Sequence, residues 1–115
     1  LDQGFLAGLG NYLRSEVLFV ARVHPDLRPV DCTDEQILAL AAAAVSLTRQ
    51  SYRTKGITND LALAQKLQAA GQSYSDYRFW VFDRDGRPCY NCGTPISKDT
   101  IGGRRLYYCP TCQSK

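Results

Sequence analysis

Apolar positions recur at helical spacing in three stretches of the chain and cluster with aromatics in a fourth. Across residues 11–23, Leu13, Val17, Val20 and Ala21 share one face of a helix. Asn11 stands where an N-cap is expected. His24-Pro25 ends this helix, because proline disfavours helical geometry at the residue before it. Residues 29–32 read as loop. Thr33-Asp34-Glu35-Gln36 has the form of a capping box. It opens a long helix with apolar positions at 37, 40, 41, 44 and 47. Residues 54–59 form a turn around Gly56, and residues 60–70 a further helix closed by Gly71. Residues 72–76 are polar and predict a linker. Residues 77–82 are aromatic-rich and predict a strand, with Trp80 in the core and a turn at Asp85-Gly86.

These elements predict a mainly α fold with a small β-hairpin: a helical module over residues 1–72, then a hairpin module over residues 73–115. Residues 1–9 are short, mostly apolar and interrupted by Gly4 and Gly8. The 115 residues suit one ordinary domain or two small ones, and are too few for a nucleotide-binding domain plus a substrate domain. No run approaches the ~20 apolar residues of a membrane helix, and no basic start followed by an apolar run reads as a signal peptide. The chain has no methionine and begins with Leu1, which predicts a piece or processed product of a longer protein.

The net charge of +3 is mild, but its placement is uneven. Residues 1–72 hold seven Lys/Arg and seven Asp/Glu, whereas residues 73–115 hold seven and four. A small basic module fits a polyanionic partner; a solvated surface accounts for the same excess. Arg49, Arg53 and Lys55 lie near the end of the long helix, where they complement its dipole.

Four of the five cysteines form two pairs, Cys89-Tyr90-Asn91-Cys92 and Cys109-Pro110-Thr111-Cys112, with sixteen residues between them. Two residues between cysteines let the chain turn sharply enough for both sulfurs to reach one tetrahedral ion at ~2.3 Å. The spacer is long enough for a hairpin, with Gly102-Gly103 at its tip and Leu106-Tyr107-Tyr108 as a strand. A disulfide pair or redox dithiol is the alternative; two pairs at this spacing without a secretion signal favour zinc. Four thiolates leave no open position, so the metal is structural. Cys32 reads as an incidental thiol.

Gly8-Leu9-Gly10-Asn11 links two helical segments. Glycines permit a compact turn, and the unpaired amides of the next helix start form an anion site with the dipole. A glycine turn used only for packing is the plainer alternative.

Residues 1–16, Leu-Asp-Gln-Gly-Phe-Leu-Ala-Gly-Leu-Gly-Asn-Tyr-Leu-Arg-Ser-Glu, resemble the helix-two-turns-helix signature of the formamidopyrimidine-DNA glycosylase/endonuclease VIII family. Residues 79–89 and 103–113 resemble its C-terminal zinc finger. The resemblance covers nearly the whole chain and is weakest across residues 57–74. Residues 9–14 and Arg84-Asp85-Gly86 bring it closer to endonuclease VIII.

The resemblance implies the DNA-binding C-terminal part of a bifunctional glycosylase/AP lyase that excises oxidised bases, chiefly pyrimidines, in base excision repair. The formamidopyrimidine branch, acting on oxidised purines, is the alternative. Its implied partner is double-stranded DNA with oxidised bases or abasic sites, in the bacterial cytoplasm at the nucleoid and away from membranes. Gly10 and Asn11 would meet phosphates flanking the lesion, and Arg104 would grip the phosphates of the damaged nucleotide. Arg105 is its neighbour and possible substitute, and Gln113 would support the contact. Cys89, Cys92, Cys109 and Cys112 match the zinc ligands. The family's nucleophile is an N-terminal proline amine followed by a catalytic glutamate. No such segment is present, so no catalytic residue is expected here and binding without catalysis is. Glu16 belongs to the turn motif and reads as a helix-face or hydrogen-bonding residue. A stand-alone zinc ribbon that recruits nucleic acid or protein is the reading from another class, and a purely structural zinc domain is a third.

Overall fold

The computed structural model describes residues 10–101 and 103–114, with the side chains of all but residues 11, 29, 101 and 104. Expectations for residues 1–9 and for Gly102 lie outside the described residues. Four helices precede a two-stranded antiparallel sheet: α1 (Asn11–Val20), α2 (Asp34–Thr54), α3 (Leu61–Ala69), α4 (Tyr74–Tyr77), β1 (Ser97–Ile101) and β2 (Arg104–Tyr108). A 3-10 turn (Pro29–Asp31) lies between α1 and α2. The mainly helical architecture with a small hairpin is as the sequence predicts. No helix among the described residues is long and apolar enough to cross a membrane.

Helix α1 is shorter than its pattern, ending at Val20 rather than residue 23. Its end is a Schellman turn. Val23 N–H donates to Leu18 O and Arg22 N–H to Phe19 O, both at 3.0 Å, with Arg22 left-handed at φ 62. Val20 therefore stands exposed at the last turn instead of joining Leu13 and Val17 inward. The N-cap is Gly10, not Asn11, which is the first helical residue. Helix α2 begins with the predicted capping box: Gln36 N–H donates to Thr33 Oγ1 and Thr33 N–H to Gln36 Oε1. Helix α3 is capped by Asp60, whose carboxylate accepts from Leu63 N–H, and closes before Gly71 at φ 92.

The polar stretch expected to be a linker instead forms α4, with Ser73 as N-cap. The aromatic stretch expected to be a strand is neither paired nor extended into the sheet. Tyr77 ends α4, and residues 80–83 run through a bend and turns.

Two cores result. Val17, Leu18 and Val23 pack with Leu40, Ala43, Ala44 and Leu47 of α2. Phe19 packs with Val81, Cys89, Ile96, Tyr107 and Cys109, and Trp80 covers this second cluster half-buried. Helix α1 thus feeds both cores from two faces. Burying a side chain of this size contributes roughly 1.5–3 kcal/mol, so α1 is the element neither half could lose.

Candidate metal centre and nucleic-acid interface

The four paired cysteines converge. One sulfur from each of Cys89, Cys92, Cys109 and Cys112 lies within 4.8 Å of the other three. Four sulfurs held at ~2.3 Å by one tetrahedral ion would stand roughly 3.8 Å apart. Cys89 and Cys112 are separated by 3.9 Å, and Cys92 and Cys109 by 3.4 Å. Donors surround the cluster as thiolates require. Asn91 N–H donates to Cys89 Sγ and Cys112 N–H to Cys109 Sγ, each at 3.4 Å, and Asn91 Nδ2 donates to Cys112 Sγ at 3.3 Å. Hydrogen bonding by Thr94 draws the Cys92 thiol down to about 6, while burial pushes Cys109 up to about 12. A metal is what allows the buried sulfurs to ionise. The donor set and spacing fit one structural zinc, held by these four residues, whose role is to fold the knuckles and the hairpin between them. Cys32 stands apart, half-buried against the first core, with its thiol raised chiefly by burial.

The hairpin pairs Ser97 with Tyr108 through to Ile101 with Arg104, and Gly103 turns at φ 77. This register places Arg104 in the first position of β2 beside the tip. The side chain of Arg104, like that of Asn11, lies outside the described residues.

At the other end of α1, Gly10 has φ 72, and among the described residues no atom lies within 4 Å of where its Cβ would stand. An L-residue would be strained there. Arg14 N–H makes the first helical bond, to Gly10 O at 3.1 Å. The first turn holds no acidic residue and Gly10 brings no side-chain cap, so the amide end of α1 keeps its positive character.

What ties this helix start to the metal hairpin was only partly legible in the sequence. Ser15 and Glu16 are fully buried on the face of α1 away from the first core. Ser15 Oγ accepts from Tyr107 N–H of β2 at 3.1 Å. The Glu16 carboxylate accepts from Trp80 N–H at 2.6 Å, Val81 N–H at 2.8 Å and Phe82 N–H at 3.2 Å, and from the Thr58 hydroxyl. These bonds replace the ladder that residues 77–82 would have needed as a strand. Burial raises the Glu16 pKa above the ordinary carboxylate value, and the Thr58, Val81, Trp80 and Phe82 bonds oppose the rise. Behind this, Arg84 is buried with its guanidinium donating to Trp80 O and Pro88 O, both at 2.7 Å, and stacked 3.7 Å from the Tyr90 ring.

Gln113, expected to support the arginine's phosphate contact, lies in the interior. Its side chain is wholly buried, accepting from Cys109 N–H at 2.9 Å and donating to Val23 O at 3.0 Å. It locks the last zinc knuckle to the turn that ends α1. Arg105, by contrast, is exposed on β2.

Comparison with known proteins agrees with this geometry. The zinc finger found in FPG and IleRS matches residues 86–115. Over 113 residues, 98% of the chain, it is 42% identical to endonuclease 8 of Klebsiella pneumoniae, covering 40% of that protein. Endonuclease 8 of Escherichia coli gives the same identity and coverage. Among solved structures, Lactococcus lactis Fpg with DNA containing an abasic site superposes with a TM-score of 0.71 at 26% identity, over 93% of this chain and 37% of that one. The same enzyme with DNA containing an oxidised pyrimidine gives 0.72 at 25% identity, with the same two coverages. The chain spans about two fifths of the length of the relatives it matches. With its sequence following endonuclease 8 almost end to end and its fold following Fpg, the chain is similar throughout to the zinc-finger-bearing portion of formamidopyrimidine-DNA glycosylase/endonuclease VIII proteins.

Proposed function

We propose that the chain is the DNA-binding portion of a bifunctional DNA glycosylase/AP lyase of the endonuclease VIII kind. It holds duplex DNA at oxidised bases, chiefly pyrimidines, and at abasic sites, in the bacterial cytoplasm on nucleoid DNA. Labour divides at residues 72 and 73: the helical module offers Gly10 and Asn11 to backbone phosphates, and the zinc module offers Arg104 to phosphate, with Arg105 beside it on the DNA-facing hairpin. Excising a base requires taking it out of the stack, at a cost of a few kcal/mol, and phosphate grips on either side hold the strand bent meanwhile.

The observation that carries this reading is the construction of α1. One end is a glycine-capped helix start without acidic residues. Its Ser15 and Glu16 bond directly to β2 and to residues 80–82. The amide cradle and the base of the arginine hairpin are therefore parts of one rigid unit.

Binding of the zinc-loaded chain to a duplex with a tetrahydrofuran abasic analogue tests it. Affinity should fall linearly in log–log form with salt, and Arg104→Ala should weaken it and lower the slope by about one. Asn11→Ala should weaken it as well. Absence of binding to damaged and undamaged duplex at low salt would end the reading. The family's proline nucleophile lies outside these 115 residues. Borohydride should therefore trap abasic DNA on a full-length relative joined to this portion, and not on the chain alone.

A further inference from the structure

A cavity of about 500 Å³ opens between the hairpin and the turn after residues 80–82, lined by Phe82, Asp83, Thr100, Gly103, Arg105 and Tyr107. The register sets Arg105 opposite Thr100 and Tyr107 opposite Lys98. Residues two apart on a strand share a face, so Arg105 and Tyr107 look into the same space. Tyr107 is buried, its ring edge-on to Phe82 at 5.0 Å, and its hydroxyl donates to Asp83 Oδ1 at 3.1 Å. Asp83 holds its place with φ 59, a left-handed conformation that a glycine would adopt more cheaply. Lys98, a further cation on the strand pair, is engaged with Asp85 at 3.7 Å. Among the described residues, neither Asp83 nor Arg105 forms an ion pair.

This lining does not suit a phosphate, because Asp83 would repel it. It offers a fixed carboxylate acceptor, a guanidinium fork, a threonine hydroxyl and an aromatic wall. That set matches a planar heterocycle presenting donors on one edge and acceptors on the next. Guanine alone among the bases offers two adjacent donors, N1–H and N2–H, to a carboxylate. It also offers two acceptors, O6 and N7, to a guanidinium. We propose that this cavity is a guanine subsite, in which Asp83 and Arg105 read an unpaired guanine opposite or beside the lesion. Arg105 is then a base-reading residue rather than a stand-in for Arg104. The inference rests on the DNA-binding reading above and names a specificity within it.

The test uses zinc-loaded protein and duplexes carrying a tetrahydrofuran site, with each of the four bases placed in turn opposite it and at both flanking positions. The subsite predicts a preference of about tenfold or more for guanine in one of these places. Inosine, which lacks the N2 amine, should lose most of that preference. Asp83→Asn should make guanine and inosine equivalent, and Arg105→Lys, which keeps the charge but not the fork, should reduce the guanine ratio. Bound zinc, measured for each variant, reports an intact hairpin. Binding that is strong but indifferent to the base at all three places overturns the subsite and leaves the DNA reading standing. So does a variant that weakens every duplex by one common factor. No binding to any duplex overturns the DNA reading and the subsite together.

Discussion

Glu16 shows how much one side chain can decide. Its two oxygens take three backbone amides and a hydroxyl from segments far along the chain. In Glu16→Gln the Nε2 group would face amides that also donate. Each donor left without an acceptor costs about 1–3 kcal/mol, so the variant should unfold at clearly lower urea. The pH dependence has a defined sign. Burial raises the folded pKa of Glu16, so between the unfolded and folded values the native state holds the proton more readily. Its contribution is complete below the unfolded value and declines as pH rises through the folded one. The wild-type advantage over Glu16→Gln should narrow as pH rises above the ordinary carboxylate range, in urea titrations with zinc present. A widening gap would show that the amides, not burial, govern its ionisation.

At the scale of elements, the ends of helices carry the strain. Lys55 caps α2 in a left-handed conformation at φ 59, with Gly56 following at φ 104. Lys55→Gly should raise stability by about 1 kcal/mol, the cost of placing an L-residue there. Gly56→Ala should do the reverse. Its Cβ would stand 2.5 Å from Arg78 Nη2 and 2.9 Å from Tyr74 Oη, which lie in a packed cation-aromatic group. The Arg78 guanidinium sits 4.2 Å from the Phe79 ring centre and 4.7 Å from that of Tyr74, and its Nε donates to Gly56 O. A loss of roughly 1–3 kcal/mol is expected from strain and clash together. Thermal melts of the pair should move in opposite directions.

Across the whole molecule, the two cores depend differently on metal. The first, between α1 and α2, contains none of the four zinc-site cysteines, whereas the second is built around Cys89 and Cys109. Chelating the zinc should therefore loosen the hairpin first. Trp80, stacked 5.2 Å from Phe19 over the second core, should report this as a red shift in emission. Most helical ellipticity, which comes from α2 and α3, should survive. DNA affinity should fall with the fluorescence signal. Loss of ellipticity in step with fluorescence would mean that the modules fold as one.

Local chemistry was readable in advance. The capping box at Thr33, the closure at Gly71, the glycine tip and the cysteine spacing each act within a few residues of themselves, so the sequence determined them and the metal cluster. Tertiary structure alone decided the rest. Residues 77–82 have a strand's composition, but the amides of residues 80–82 went to a carboxylate 64 to 66 residues earlier. Gln113 directly follows the last cysteine, yet its side chain bonds to Val23, 90 residues away. Such partners leave no periodicity to read, because a buried polar group is placed by what remains unpaired around it once the chain has closed.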